Sequence, residues 1–279
     1  MSTNSFVNQL RRPFVVGVLR GETPGADIAA ILNSEADGAD AFDLHIHWLP
    51  EKDRGESTLS RIFHSTNKPS LALFYREQTP YNTPAASEET RIEVLLRALE
   101  CGAAGVDIQA DYFDPDPKAS LKNSDLPFAK KSPAEITLNP EAVKKQTGLI
   151  EKIHSMGKEV LLSAHVLTEL STEEGVALAL EMEKRGPDIV KIVSTCGEDD
   201  YDHAIEMLAT INELKKRLHT PFVYLVTGRA ARLTRITGAM IGNCLVFANQ
   251  KYEPNSTPSQ PLIRSAVTIL REAARDVRD

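Results

Sequence analysis

The chain of 279 residues is poor in cysteine, with three, and has a single tryptophan. Cys101, Cys196 and Cys244 are odd in number, widely spaced and without paired-ligand spacing, which excludes a disulfide framework and a cysteine zinc site and leaves reduced thiols. Basic charge is also in deficit: 32 Lys and Arg stand against 39 Asp and Glu, a formal net charge of −7, which opposes binding to a polyphosphate backbone. The apolar run near the start, seven residues from Pro13 to Leu19, is ended by Arg20 and is too short for a signal-peptide core or a membrane span. These absences point to a soluble, cytoplasmic protein with neither nucleic acid nor membrane as a partner. With 42% hydrophobic and 25% charged residues, 15 Gly and 16 Pro, the composition is globular and excludes disordered, collagenous and coiled-coil classes.

What is present is an alternation of short apolar runs with longer amphipathic segments, the pattern of βα units around a parallel sheet. Eight strands are expected at 14–19, 41–48, 70–76, 105–110, 159–165, 188–194, 222–227 and 244–248. Two of the following helices carry clear caps, Ser171 with Glu174 and Ser87 ahead of Ile92, Leu96 and Leu99. Eight repeats without a linker predict one (β/α)8 TIM barrel over 1–279, with a doubly wound sheet as the alternative because strand order is not visible in sequence. One segment breaks the rhythm. Residues 111–140, rich in Asp, Pro, Lys and Ser, stand between strand four and its helix, where a few residues usually suffice; they are read either as a lid over the barrel mouth or as a tolerated disordered insertion.

Side chains near the C-terminal ends of barrel strands reach the mouth, and that rule ranks the polar residues. Lys191, flanked by Ile189, Val190, Ile192 and Val193, costs several kcal/mol if charged and unpaired. A depressed pKa would make it a nucleophile for a ketone, with His165 on the adjacent strand as acid/base; the structural alternative is an ion pair with an acid on a neighbouring strand. Asp43, His45 and His47 share one face at period two and could serve a metal, yet the outer two would stand roughly 13 Å apart, so one ion would need ligands from other strands. Asp107, Gln109 and Asp111 share a face of strand four. After strand seven, Gly228 and the arginines Arg229, Arg232 and Arg235 would suit an anion, Arg235 a carboxylate, or else form a solvated basic face.

These residues resemble the type I 3-dehydroquinate dehydratases, TIM-barrel Schiff-base enzymes of the shikimate and quinate pathways. Ser163-Ala164-His165 resembles the family's Ser-x-His strand, whose histidine is the acid/base, and Asp188-Ile189-Val190-Lys191 the strand whose lysine forms the imine. Thr234-Arg235 matches its Ser-Arg, where the arginine holds the substrate carboxylate. Ser256 to Gln260 resembles its closing loop, which implies substrate contacts by Ser256 and Gln260, and Arg76 falls at its strand-three arginine.

The chain departs from the family pattern on strand two, where Glu-x-Arg is Asp43-Leu44-His45, and on strand four, where Asp-x-Glu is Asp107-Ile108-Gln109. The acid that orients the histidine aligns with Pro80, with only Glu77 nearby, and the Asp-Phe after the histidine is Val166-Leu167. The resemblance implies a hydro-lyase without metal or organic cofactor that dehydrates 3-dehydroquinate to 3-dehydroshikimate through Lys191 and His165. It places the substrate among Arg235, Arg76, Asp43, His45, Gln109, Asp107, Ser256 and Gln260, and suggests a homodimer. Two alternatives stay open: a diverged Schiff-base lyase acting on another cyclic, carboxylated hydroxyketone, and a non-catalytic metabolite sensor.

Overall fold

Val, Ile, Leu and Phe dominate the short runs and leave both faces of each strand apolar, which suits a parallel sheet covered on its outside by helices and filled on its inside by side chains. The computed structural model describes residues 5–7, 13–76, 86–254 and 256–274. Its strands are β1 (Phe14–Leu19), β2 (Ala41–His45), β3 (Ser70–Leu73), β4 (Gly105–Gln109), β5 (Glu159–His165), β6 (Ile189–Ser194), β7 (Phe222–Val226) and β8 (Leu245–Ala248). The helices are α1 (Pro24–Ala36), α2 (Glu56–Phe63), α3 (Glu88–Glu100), the short α4 (Pro117–Leu121), α5 (Pro140–Ser155), α6 (Thr172–Glu183), α7 (Tyr201–Arg217), α8 (Arg232–Ile241) and α9 (Ile263–Ala274).

The strands follow one another in parallel from β1 to β7, and β1 also pairs with β8. That order is a (β/α)8 barrel; the doubly wound alternative would need the order to reverse. The seam between β7 and β8 is closed by Cys244 N–H donating to Phe222 O at 2.9 Å and by the Asn243 side-chain amide, which accepts from Tyr224 N–H at 2.8 Å and donates to Tyr224 O at 2.9 Å. Alternation along each strand sorts side chains into an inner layer, including Phe14, Val16, Leu71, Leu161, Ile189 and Leu245, and an outer layer under the helices. Phe6 is fully buried with the inner layer, its backbone N–H held by Glu159 at the start of β5.

Helix entries agree with the capping residues: Ser171 and Glu174 form a reciprocal capping box on α6, and Ser87 Oγ accepts from Thr90 N–H on α3. Several strands are shorter than expected. β2 stops at His45, because Ile46–Trp48 turns into a 3-10 helix; β3 stops at Leu73.

The 111–140 segment is folded, which removes the disordered-insertion alternative. It holds α4 and a 3-10 turn over Pro127–Lys131, buries Phe128 completely, and makes a parallel bridge from Ala110 to Ile136. Buried Arg185 at the end of α6 anchors it from beneath, donating to Ala110 O at 2.6 Å, Gln146 Oε1 at 2.5 Å and Thr137 O at 2.7 Å. Gln146 on α5 donates in turn to Tyr112 O at 2.7 Å.

Candidate active site

The register places Lys191 on β6 level with Ser163 on β5, and His165 two residues farther toward the mouth. All three lie on the inward face, with Asp43 from β2 and Asp107 from β4. Lys191 is 5% exposed. Its Nζ donates to Asp107 Oδ2 at 2.8 Å and lies 5.0 Å from the centroid of the Phe247 ring. Asp107 also accepts from Ser163 Oγ at 2.5 Å. The expectation of a depressed lysine pKa is thereby corrected. Burial pulls the Lys191 amine down, but Asp107, Asp43 and Glu135 outweigh it and hold the amine above its ordinary value. The apolar neighbours along β6 are visible in sequence; the carboxylates facing Lys191 across the barrel are not.

Asp43 and His45 are turned on each other, His45 Nε2 lying 3.1 Å from Asp43 Oδ2. Burial would raise the Asp43 carboxyl, but His45, Lys191 and Arg20 bring it below its ordinary value, while desolvation lowers His45. Neutral imidazole donating to a carboxylate satisfies both shifts. His47, in the turn, accepts at Nδ1 from Tyr75 N–H at 3.2 Å and stacks on Phe74, and burial pushes its pKa down to about 3. The shared face expected for Asp43, His45 and His47 thus ends at His45. Among the described residues no cluster of three or more His, Cys, Asp or Glu is arranged to hold a metal ion.

His165 contacts a residue that the sequence did not single out. Glu135, from the folded 111–140 segment, accepts at Oε2 from His165 backbone N–H at 2.7 Å and lies 2.8 Å from His165 Nδ1; Tyr75 donates its hydroxyl to Oε1. Burial would raise the Glu135 carboxyl, but the hydrogen bonds from His165 and Tyr75 bring it below its ordinary value. Pro80 and Glu77, where the resemblance looks for an orienting acid, lie outside the described residues. Leu167, just beyond the histidine, is 70% exposed at φ 51°.

Arg235, at the start of α8, is buried and donates to Val226 O at 3.2 Å and Ser259 Oγ at 2.9 Å. Among the described residues no carboxylate pairs with it, and desolvation pushes its pKa down to about 10, so it remains a cation at neutral pH. Gly228 makes the turn that leads there: φ is 102°, and a Cβ would stand 2.5 Å from Cys196 O. Arg229 and Arg232 are the solvated pair, Arg229 joined to Asp199 and Arg232 donating to Pro258 O at 3.0 Å.

Other expected site residues are differently engaged. Arg76 pairs with Asp111. Gln109, fully buried, accepts at Oε1 from Arg91 at 3.1 Å, so Asp107, Gln109 and Asp111 serve three different partners. Ser256 is spent in its own loop, accepting from Glu253 N–H at 2.9 Å; Ser259 is the serine that meets Arg235. Gln260 is buried, and among the described residues its Oε1 has no hydrogen-bond partner. Arg20, at the end of β1, also escaped the sequence analysis; it donates to Thr257 Oγ1 at 3.1 Å and draws the Asp43 carboxyl down.

The barrel thus holds a buried amine, a histidine with an anchored ring and a buried cation that, among the described residues, has no carboxylate partner. Several comparisons bear on it. In Arabidopsis thaliana, a chloroplastic bifunctional 3-dehydroquinate dehydratase/shikimate dehydrogenase is 25% identical over 234 residues, 83% of this chain and 32% of that protein. A Clostridium kluyveri 3-dehydroquinate dehydratase is 29% identical over 134 residues, 47% of this chain and 49% of that one. The matches therefore span 32% and 49% of the length of these curated relatives, less than half of each. Among solved structures, the 3-dehydroquinate dehydratase of Geobacillus kaustophilus superposes with a TM-score of 0.73 at 15% identity, covering 95% of this chain and 93% of that one. The type I enzyme of Clostridium difficile, carrying covalently modified comenic acid, gives 0.70 at 14%, covering 94% and 92%. At these identities the superpositions establish the shared barrel. The family model for type I 3-dehydroquinase matches residues 17–276, and over that span, nearly the whole chain, the protein belongs to the type I 3-dehydroquinase family.

Proposed function

We propose that this chain is a hydro-lyase that dehydrates 3-dehydroquinate to 3-dehydroshikimate through an imine on Lys191, with His165 as acid and base. The observation that carries the proposal is Lys191 itself: a buried amine on the inner wall of the mouth, one strand from His165. The ammonium must lose a proton before it attacks the ketone carbon. Attack gives a carbinolamine, and loss of water gives a cationic imine. Asp107 and Asp43, which hold the free amine protonated, stabilise the positive charge again at this stage, so their cost to the nucleophile is offset in the intermediate.

The imine acidifies the adjacent C–H. His165 takes that proton through Nε2, because Nδ1 faces Glu135, and the electron pair is held as an enamine. Collapse of the enamine expels the β-hydroxyl, which leaves as water with the proton returned by His165. A second water hydrolyses the conjugated imine, releasing the enone and freeing Lys191. Arg235 would hold the substrate carboxylate in place of the Ser259 hydroxyl.

A second reading keeps the imine and changes the substrate to a different carboxylated hydroxyketone. It is favoured by Gln109, committed to Arg91, and by Asp43 and His45, committed to each other. Turnover on a panel of cyclic hydroxyketones that includes 3-dehydroquinate tests both. Dehydration of 3-dehydroquinate faster than of the other ketones supports the first; preference for another ketone supports the second; turnover of none, with binding retained, would leave a metabolite sensor.

A further inference from the structure

We propose that Glu135, carried into the barrel mouth by the 111–140 segment, is the positioning residue that fixes His165 with Nδ1 protonated and Nε2 turned toward the reacting carbon. The proposal deepens the acid/base role of His165 and rests on it. One oxygen, Oε2, receives both the backbone N–H of His165 at 2.7 Å and its ring Nδ1 at 2.8 Å, so the ring is tied to its own main chain and cannot pivot without breaking a bond. The other oxygen is held by the Tyr75 hydroxyl, and the Tyr75 ring meets the imidazole edge-on at 5.2 Å between centroids. An ionised carboxylate only accepts hydrogen bonds, so the proton between Glu135 and Nδ1 belongs to the imidazole, and in the neutral ring that acts as base the lone pair is on Nε2.

The backbone is built to deliver this side chain. Glu135 has φ 53°, a left-handed conformation that a non-glycine residue keeps only when its surroundings impose it. Its neighbours impose it here: Ala134 N–H donates to Val166 O at 3.1 Å, and Ile136 bridges Ala110. Arg185 then holds the carbonyls at both ends of the loop, Ala110 and Thr137. The segment is thus a fixed arm between β4 and α5 that brings an acid to a histidine on β5. Among the described residues, Arg76, Asp111 and Lys191 supply further charges around Glu135.

The test has a structural and a kinetic arm. In the first, 15N shifts of the His165 ring are recorded in the unliganded protein, with His165→Ala used for assignment. The parent is expected to show protonated Nδ1 and unprotonated Nε2, and Glu135→Ala a mixture of tautomers. In the second, Glu135→Ala and the bulk-preserving Glu135→Gln are expected to lose roughly 10- to 100-fold in kcat with KM within about threefold, while borohydride still traps substrate on Lys191. Combined with His165→Ala, neither is expected to slow the enzyme further, because a residue acting through the histidine has nothing left to act on. An unchanged tautomer in Glu135→Ala, full activity in both variants, or additive losses in the double variants would overturn the proposal. If Lys191→Ala and His165→Ala leave turnover intact, the imine reading fails instead, and the ring shifts alone decide the role of Glu135.

Discussion

Arg235 shows how a single residue couples sequence to chemistry. It is a buried cation with hydroxyl and carbonyl partners and, among the described residues, no acid, so an anionic substrate group would offset the desolvation it has already undergone. A charged hydrogen bond of this kind contributes about 1.5–3 kcal/mol, so Arg235→Ala is expected to raise KM for a carboxylated substrate by roughly ten- to a hundredfold. Steady-state kinetics on the preferred ketone check this; unchanged KM would place the carboxylate elsewhere. The sequence pointed to Arg235 because it follows a strand end and matches a family motif. It could not show that Lys191 would be held by Asp107, 84 positions away and two strands across the barrel, because apolar neighbours along a strand say nothing about what faces it. Glu135 was invisible for a related reason: it stands in an aperiodic loop with a left-handed backbone that no local pattern announces.

At the level of elements, periodicity and caps located the eight βα units along the chain, because each strand buries two faces and each helix one, while the order of the strands in the sheet came only from the structure. What periodicity missed were ends and excursions, such as the turn that cuts β2 short at His45, and the packing of 111–140. That packing depends on Arg185. Arg185→Leu is expected to leave Gln146 Oε1 and Thr137 O without the donor they have here, while Ala110 O keeps its bonds from Gln146 and Thr137, to cost about 2–3 kcal/mol, and to lower Tm by several degrees. Thermal unfolding would show it, and limited proteolysis should open first within 111–140; an unaltered Tm would mean that the segment is held by other contacts.

A second element, α1, carries a pH-sensitive contact. Asp27 is buried, its Oδ1 accepting from Gly21 N–H at 2.8 Å; burial pushes its carboxyl up to about 7 from an ordinary 3.8, with the Gly21 hydrogen bond acting the other way. Between those values the folded protein holds a proton that the unfolded chain has released. The contribution of Asp27 to stability therefore falls as pH rises from 3.8 to about 7 and is constant on either side, by as much as about 4 kcal/mol in total. Asp27→Asn is expected to flatten this part of a Tm-against-pH curve; an identical slope in the variant would show that Asp27 does not titrate there.

For the whole molecule, closure of the barrel is what turns separate motifs into a site. Asp43 on β2, Asp107 on β4, Ser163 on β5 and Lys191 on β6 face one another because β1 pairs with β8 and Asn243 seals the remaining seam. The central claim is that Lys191 forms the imine. The protein is incubated with 3-dehydroquinate and borohydride, digested, and the adduct located by mass spectrometry. The account predicts a reduced adduct on Lys191, absent in Lys191→Ala together with turnover, and still formed in His165→Ala, where turnover falls about 10²–10⁴-fold. An active enzyme with no adduct on Lys191, or one as fast after Lys191→Ala, would contradict it.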